Sequence, residues 1–322
     1  MERRFLKRRF AVLFAMLALA LPAAAQDRTL RILVGFPAGA GLDTMTRLVA
    51  DRMRERLGQP VVVENRPGAS GQLAMTAVKN APADGLTLVM TPLVTVVTAP
   101  HVYPNLPYDA FADFAPVAHA ANFLFAFAVG PSVQANSLVD YVALVKKDPK
   151  FGHYASAGTG SLPHFFSLLF ADTAMIRLNH IGYRGTSPAL SDLLGGQISA
   201  FMGVVSDVAA QHRAGKVRVL ATSGAARSRH LSEIPTFREL GFNIEGGGWY
   251  AAYAPAKTPK DAIDRLSGAM VEALKSPDLR DRLDALGMEP TGLGPADLAR
   301  IHRADYEKWG PLIKASGFKP ES

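Results

Sequence analysis

Short β-branched runs alternate with amphipathic stretches along most of the chain. Leu30–Val34 reads as a buried strand, and Met45, Leu48, Val49, Met53 and Leu57 then recur at helical spacing until Gly58. Val61–Val63 reads as the next strand, and Leu86–Met90, after an Asp84-Gly85 turn, as another. The same grammar returns downstream. Strand His153–Ser156, helix Leu162–Phe170, strand His180–Tyr183, helix Ala189–Leu194, strand Ile198–Met202, a helix through Val208–Ala214 and strand Val217–Ala221 follow one another. The C-terminal part is helical: Thr258-Pro259 and Ser276-Pro277 each read as an N-cap followed by proline at the first helical position, and Gly287 ends the second of these helices. A last helix runs through Leu298–Lys308 towards Ile313. Strand–helix–strand alternation with short connections predicts βαβ units and mainly parallel sheets.

Two segments interrupt this order and read as hinges. Asn122–Val129 is an apolar strand entering Gly130-Pro131, and Gly246–Gly248 leads into Trp249–Ala254 and Pro255. The expected fold class is α/β, with two Rossmann-like domains joined by two crossings. The first is built from residues 26–125 plus 250–322 and the second from 126–249, with one continuous α/β domain as the alternative.

The N-terminus does not fit either domain. Arg3, Arg4, Lys7, Arg8 and Arg9 precede an unbroken apolar run from Phe10 to Leu21, followed by Pro22-Ala23-Ala24-Ala25-Gln26. A basic segment, a twelve-residue apolar core and an A-x-A site predict a secretory signal peptide over residues 1–25, cut after Ala25. Read instead as a membrane anchor, the run is short of the roughly 20 residues a hydrocarbon core requires. The arginine pairs leave general and twin-arginine export both open.

Export changes the meaning of the charge. The 322 residues carry 35 basic and 28 acidic side chains, a formal +7 that invites a nucleic-acid reading. Five basic residues and one acid leave with residues 1–25, so the mature chain carries about +3. Lys146-Lys147 and Arg227–Arg229 are short runs without aromatic interleaving, which makes them solvated faces and predicts no nucleic-acid partner. With no cysteine in the chain, disulfide scaffolds, thiol nucleophiles and Cys-ligated metals are excluded.

The candidate chemistry lies in two matched loops. Strand Leu30–Val34 runs into Phe36-Pro37-Ala38-Gly39-Ala40-Gly41-Leu42-Asp43, then helix, strand and Asn65-Arg66-Pro67-Gly68. Strand His153–Ser156 runs into Ala157-Gly158-Thr159-Gly160-Ser161, then helix, strand and Tyr183-Arg184-Gly185-Thr186. Gly39 to Arg66 spans 27 positions and Gly158 to Arg184 spans 26. Each unit places a glycine-rich turn at a strand's carboxyl end and a helix's N-terminus, where free backbone N–H groups and the helix dipole favour an anion. Purely geometric use of glycine at such turns is the competing explanation. Neither loop has Walker A or G-x-G-x-x-G spacing, so no nucleotide cofactor is expected.

Catalysis is not expected. Ser161 and His164 stand i, i+3 at a helix start, but Ser161 fits an N-cap, Pro163 fits the first turn, and no G-x-S-x-G elbow occurs. The eight histidines are dispersed without H-x-H or H-E-x-x-H spacing, so neither a metal nor any other cofactor is expected. Asp43 has two readings, helix N-cap or a selector that bonds ligand donors and repels surplus negative charge. Arg184 reads equally as a carboxylate clamp or a structural partner for strand-end carbonyls. Gly39→Pro, which removes one amide, is expected to weaken carboxylate binding with little effect on ligand-free melting.

These residues resemble a known family. Phe36-Pro37-Ala38-Gly39 with Asp43, the run Gly58-Gln59-Pro60-Val61-Val62-Val63-Glu64-Asn65-Arg66-Pro67-Gly68-Ala69, Ser156–Ser161 with His164, Tyr183-Arg184-Gly185, Pro188–Gln197 and Trp249-Tyr250…Ala254-Pro255 are similar to the Bug-type solute-binding receptors of tripartite tricarboxylate transporters. The resemblance covers essentially the whole mature chain. It implies a periplasmic type II binding protein of the Venus-flytrap kind, monomeric, that captures a small carboxylate or amino-acid-like solute and delivers it to a permease of one large and one small subunit. An exported sensory receptor with the same ligand, or an exported hydrolase, are the alternatives. Ligand contacts implied position by position are Phe36, Ala38, Gly39, Ala40, Gly41, Asp43 and Thr91 on one side. On the other they are Ser156, Thr159, Gly160, Ser161, His164, Tyr183, Arg184 and Ser206. Gly39-Ala40-Gly41, Gly182 and Gly203–Asp207 depart from the family pattern beside this cleft.

Overall fold

A computed structural model describes residues 29–39, 41–183 and 185–318; the expected signal peptide over residues 1–25 lies outside the described residues. In chain order the first part comprises β1 (Leu30–Val34), α1 (Gly41–Leu57), β2 (Val61–Asn65), α2 (Gln72–Lys79), β3 (Thr87–Pro92), α3 (Ala99–Val102) and the long β4 (Phe114–Phe123). The middle part holds β5 (Phe125–Val129), α4 (Leu138–Lys147), β6 (His153–Ser156), α5 (Leu162–Ala174), β7 (Asn179–Gly182), α6 (Thr186–Leu194), β8 (Ala200–Val204), α7 (Val205–Arg213) and β9 (Arg218–Thr222). The chain closes with β10 (Gly248–Pro255), α8 (Lys260–Lys275), α9 (Pro277–Ala285), β11 (Glu289–Leu293) and α10 (Pro295–Ala315).

These strands form two separate sheets. The first is ordered β11-β4-β10-β3-β1-β2 and the second β7-β6-β8-β5-β9. Each contains a parallel trio, β2-β1-β3 and β7-β6-β8, built by right-handed βαβ logic from the apolar runs that the sequence displays. The expectation of mainly parallel sheets fails beyond these trios. β10 runs antiparallel to β3 and β4, β11 antiparallel to β4, and β5 antiparallel to β8 and β9. The strands that travel between the sheets enter each one against the direction of its βαβ trio, which local periodicity does not report.

The apolar stretch Asn122–Val129 is two strands rather than one. β4 ends in the first sheet at Phe123, β5 begins in the second at Phe125, and Leu124 is the turning point, its carbonyl accepting the Val205 N–H at 2.9 Å. The return passes through Gly246–Gly248. Ser223 ties the two crossings together: its Oγ accepts the Phe125 N–H at 3.0 Å and donates to the Gly246 carbonyl at 2.6 Å. One fully buried cluster runs through this junction by way of Phe123, Phe125, Phe166, Trp249 and Trp309, while the outer faces of the two sheets have cores of their own. Smaller differences lie at element ends. α8 begins at Lys260 with Pro259 in the capping position, and β8 lies two residues later than its apolar run suggests.

Candidate ligand-binding cleft

The first turns of α1 and α5 face a cavity of about 230 Å³ between the two sheets. Gly41 and Leu42 line it from one side, Ser161, Leu162 and Pro163 from the other, with Phe36 and Ala157 from the loops themselves. Phe123, Phe125 and Tyr250 from the crossings, with Pro92, Leu93, Val94 and Val204, complete the wall. No charged side chain is among these described lining residues. The groups that these lining residues offer an anion are backbone N–H groups at helix starts. Pro163, lacking an N–H, sits where its donor would be an orphan.

The two loops are closed by the same device. Gly39, at φ 82°, donates its N–H to Asp43 Oδ2 at 2.9 Å. Gly160, at φ 74°, donates its N–H to His164 Nδ1 at 3.1 Å. In each, a left-handed glycine turns its amide onto the side chain four residues on, inside the following helix. The structural partner of Gly39 is thus Gly160 rather than Gly158. The strand ends match as well: Arg66 N–H donates to Val34 O at 2.8 Å and Tyr183 N–H to Ser156 O at 3.1 Å.

Asp43 fits neither role expected of it. It lies within α1, buried, and both carboxylate oxygens are taken: Oδ1 by Asn65 Nδ2 at 2.8 Å and Arg47 at 3.0 Å, Oδ2 by Gly39 N and Arg47 Nε at 3.0 Å. Burial pushes its pKa up, but the Arg47 guanidinium, the Gly39 amide and Asn65 prevail and hold the carboxyl below its usual range. An ionised, fully partnered carboxylate here fixes the loop.

On the second loop, Ser161 occupies the cap position of α5 without capping it, since its hydroxyl donates to the Gly158 carbonyl at 2.6 Å. Ser156 is fully buried; its Oγ donates to Gly158 O at 3.0 Å and accepts from His180 Nε2 at 2.8 Å. His164 stacks on His180 with centroids 3.9 Å apart. Burial pushes both imidazoles down to about 4, and each is a neutral structural group at neutral pH. His180 carries no local sequence signal; only the pairing of β6 with β7 brings it to this loop.

Of the expected contacts, Phe36, Gly41 and Ser161 line the cavity. Ala38, Gly39 and Thr159 are exposed on the loops beside it, with Thr159 Oγ1 packed against the bare face of Gly182. Thr91 is buried in β3 and bonded to Thr95 at 2.6 Å, Tyr183 donates its hydroxyl to Asp192 at 2.6 Å, and Ser206 is exposed against Gly287. None of these three lines the cavity. Ala40 and Arg184 lie outside the described residues. The apolar wall formed by Leu42, Leu93, Leu162 and Tyr250 was not foreseen, because cavity-facing and core-facing apolar positions look alike in sequence.

Residues 45–318 match the family described as tripartite tricarboxylate transporter family receptor. Protein BugT of Bordetella pertussis is 31% identical over 297 residues, 91% of this chain and 90% of that protein. Among solved structures, R. palustris Rpa4515 with adipate is 30% identical with a TM-score of 0.84, covering 92% of this chain and 100% of that one. MatC from Rhodopseudomonas palustris with bound malate is 30% identical with a TM-score of 0.78, covering 88% of this chain and 98% of that one. With the two-sheet architecture and the matched helix-start loops, these similarities establish that the chain belongs to the tripartite tricarboxylate transporter receptor family, as a Bug-type solute-binding receptor.

Proposed function

We propose that this chain is a periplasmic receptor that captures a small carboxylated solute in the cleft between its two sheets and delivers it to a tripartite tricarboxylate-type permease of one large and one small subunit. The observation that carries this reading is the cavity lined by the first turns of both α1 and α5 and, among the described residues, by no charged side chain. A carboxylate there accepts backbone N–H groups such as those of Gly41, Leu42 and Leu162, and its carbon skeleton meets Phe36, Leu93, Phe125 and Tyr250. The relatives solved with adipate and with malate support this ligand class. Each charge-assisted bond contributes about 1.5–3 kcal/mol net. Four such bonds bring micromolar affinity, near 8 kcal/mol, within reach.

Two domains, residues 26–125 plus 250–322 and residues 126–249, close on the solute by rotation about the crossings near Leu124 and Gly246–Gly248. The backbone and side-chain contacts hold the solute without altering it, so no turnover accompanies binding. Residues 1–25 direct export and are removed after Ala25.

A thermal-shift screen of mono-, di- and tricarboxylates, amino acids and aromatic acids tests the proposal. A Tm that rises with ligand concentration identifies the solute by mass action. Absence of a response to every carboxylate overturns the reading, and release of product from an ester or phosphoester would assign an enzyme instead.

A further inference from the structure

Behind the junction of the two crossings lies a second cavity, of about 340 Å³, separate from the carboxylate cleft in all but Phe123. Its walls include Leu124 and Gly246–Gly248, the backbone of both crossings, together with the indoles of Trp249 and Trp309. Unlike the cleft, it is lined by charged side chains. Glu245, Glu289, Asp305 and Lys308 are among them; Glu245 pairs with Arg238 at 2.8 Å and Glu289 lies 3.9 Å from Arg229, whereas Asp305 faces the indole of Trp249. The Lys308 Nζ already donates to the Glu245 carbonyl at 2.9 Å.

One group in this wall is unsatisfied. His119 is 1% exposed, and its Nε2 is buried without a hydrogen-bond partner. The neighbouring bonds fix which kind of partner it lacks. The Thr291 hydroxyl donates to the His119 carbonyl at 2.9 Å, which uses its only proton. At 2.7 Å from His119 Nδ1, the Thr291 oxygen must then accept, so Nδ1 carries the imidazole proton. Burial lowers the His119 pKa to about 4, which keeps the ring neutral near pH 7. Nε2, in the wall of this cavity, therefore carries a lone pair that requires a donor. Asp305 adds a second acceptor: one of its oxygens takes the Trp249 Nε1–H at 2.7 Å, and burial holds its carboxyl above the usual range.

We propose that this cavity is a binding site for a small protonated amine, held by the His119 Nε2 lone pair and the Asp305 carboxylate over the indole walls. A primary ammonium offers three donors and one positive charge. That combination satisfies the orphaned nitrogen, pairs with the Asp305 carboxylate and favours contact with indole faces. A carboxylate has no donor for Nε2, so the two cavities favour different ligand chemistry.

Titration of ethylammonium chloride into the purified chain at neutral pH, with sodium chloride at equal ionic strength as control, tests the site by NMR of isotope-labelled histidine nitrogens. The expected result is a saturable displacement of the His119 Nε2 resonance with a matching rise in Tm. His119→Phe, which keeps a ring but removes the acceptor, abolishes that Tm rise, and Asp305→Asn, which still accepts from Trp249, weakens amine binding at least several-fold. Both leave the response of the cleft to its carboxylate in place. A resonance that stays fixed as amine is raised, the behaviour of a pocket holding only water, overturns the proposal. A Tm rise that survives His119→Phe overturns it too; should that variant not fold, the wild-type titration and Asp305→Asn decide.

Discussion

The Asp43 carboxylate accepts the Gly39 N–H at 2.9 Å, turning the first glycine loop in upon its own helix. That bond reverses what is expected of Gly39→Pro. Proline fixes φ near about −65° and has no N–H, whereas Gly39 sits at φ 82° and its N–H is in use. The substitution strains the loop and leaves a buried carboxylate short of one donor, at a cost of roughly 1–3 kcal/mol for the lost bond alone. We expect the ligand-free Tm to fall, and Asp43→Ala to lower it further by also removing the bonds from Asn65 and Arg47. A ligand-free Tm unchanged in both variants would show that the loop is held by something else.

Ala157 lines the cleft, half-buried, where none of the described lining side chains is charged. Ala157→Asp places a carboxylate at the lip of a site proposed to hold one. The repulsion is expected to remove at least tenfold of the carboxylate affinity, a change of about 1.4 kcal/mol, by titration calorimetry. Ligand-free melting should move little, since the new side chain can reach solvent. Retained affinity would place the bound carboxylate elsewhere.

Stability should fall as the medium is acidified from about pH 6.5 towards pH 4. Burial brings His119, His164, His180 and His302 each down to about 4 from 6.5. The unfolded chain then binds protons at these sites over a range where the folded chain does not, so stability is complete above about 6.5 and declines below it. Asp207 and Asp305, whose carboxyls burial raises, act in the opposite sense but are outnumbered. Thermal unfolding at stepped pH measures the slope. A Tm that is flat across this window contradicts the neutral, buried imidazoles.

Ser206 and Gly287 mark where the two units touch beside the cleft. A Cβ on Gly287, whose φ of 71° already disfavours alanine, would lie 2.6 Å from Ser206 Cβ and 3.2 Å from its Cα, so backbone must shift. Arg229 reaches Asp284 at 3.2 Å across the same boundary. Gly287→Ala is expected to wedge the units apart, raising the radius of gyration in small-angle scattering and weakening the proposed solute several-fold. A variant with unaltered scattering and affinity would remove this contact from closure. Arg229→Ala, an exposed ion pair, should change ligand-free stability by less than about 1 kcal/mol.

Periodicity and punctuation in the sequence were enough for the βαβ trios, the two glycine-rich helix starts and the family. Apolar positions such as Leu30, Ile32, Leu33 and Val34 must be buried wherever they lie, and a strand-to-helix turn must leave amide donors free. Such requirements are local, so the residues themselves carry them. Burial also made some of the structure illegible. β10 and β11, with their antiparallel partners, depend on which distant strand offers an edge, and Asn122–Val129 gives no local sign that it divides at Leu124. Only the tertiary structure decided which amides stay available. Gly39 and Gly160 look like ligand donors in sequence, yet Asp43 and His164 claim their N–H groups, which leaves the helix starts beside them as the donors of the proposed site. Distance decided it: a hydrogen bond requires atoms within about 3 Å, and the chain must fold before such neighbours exist.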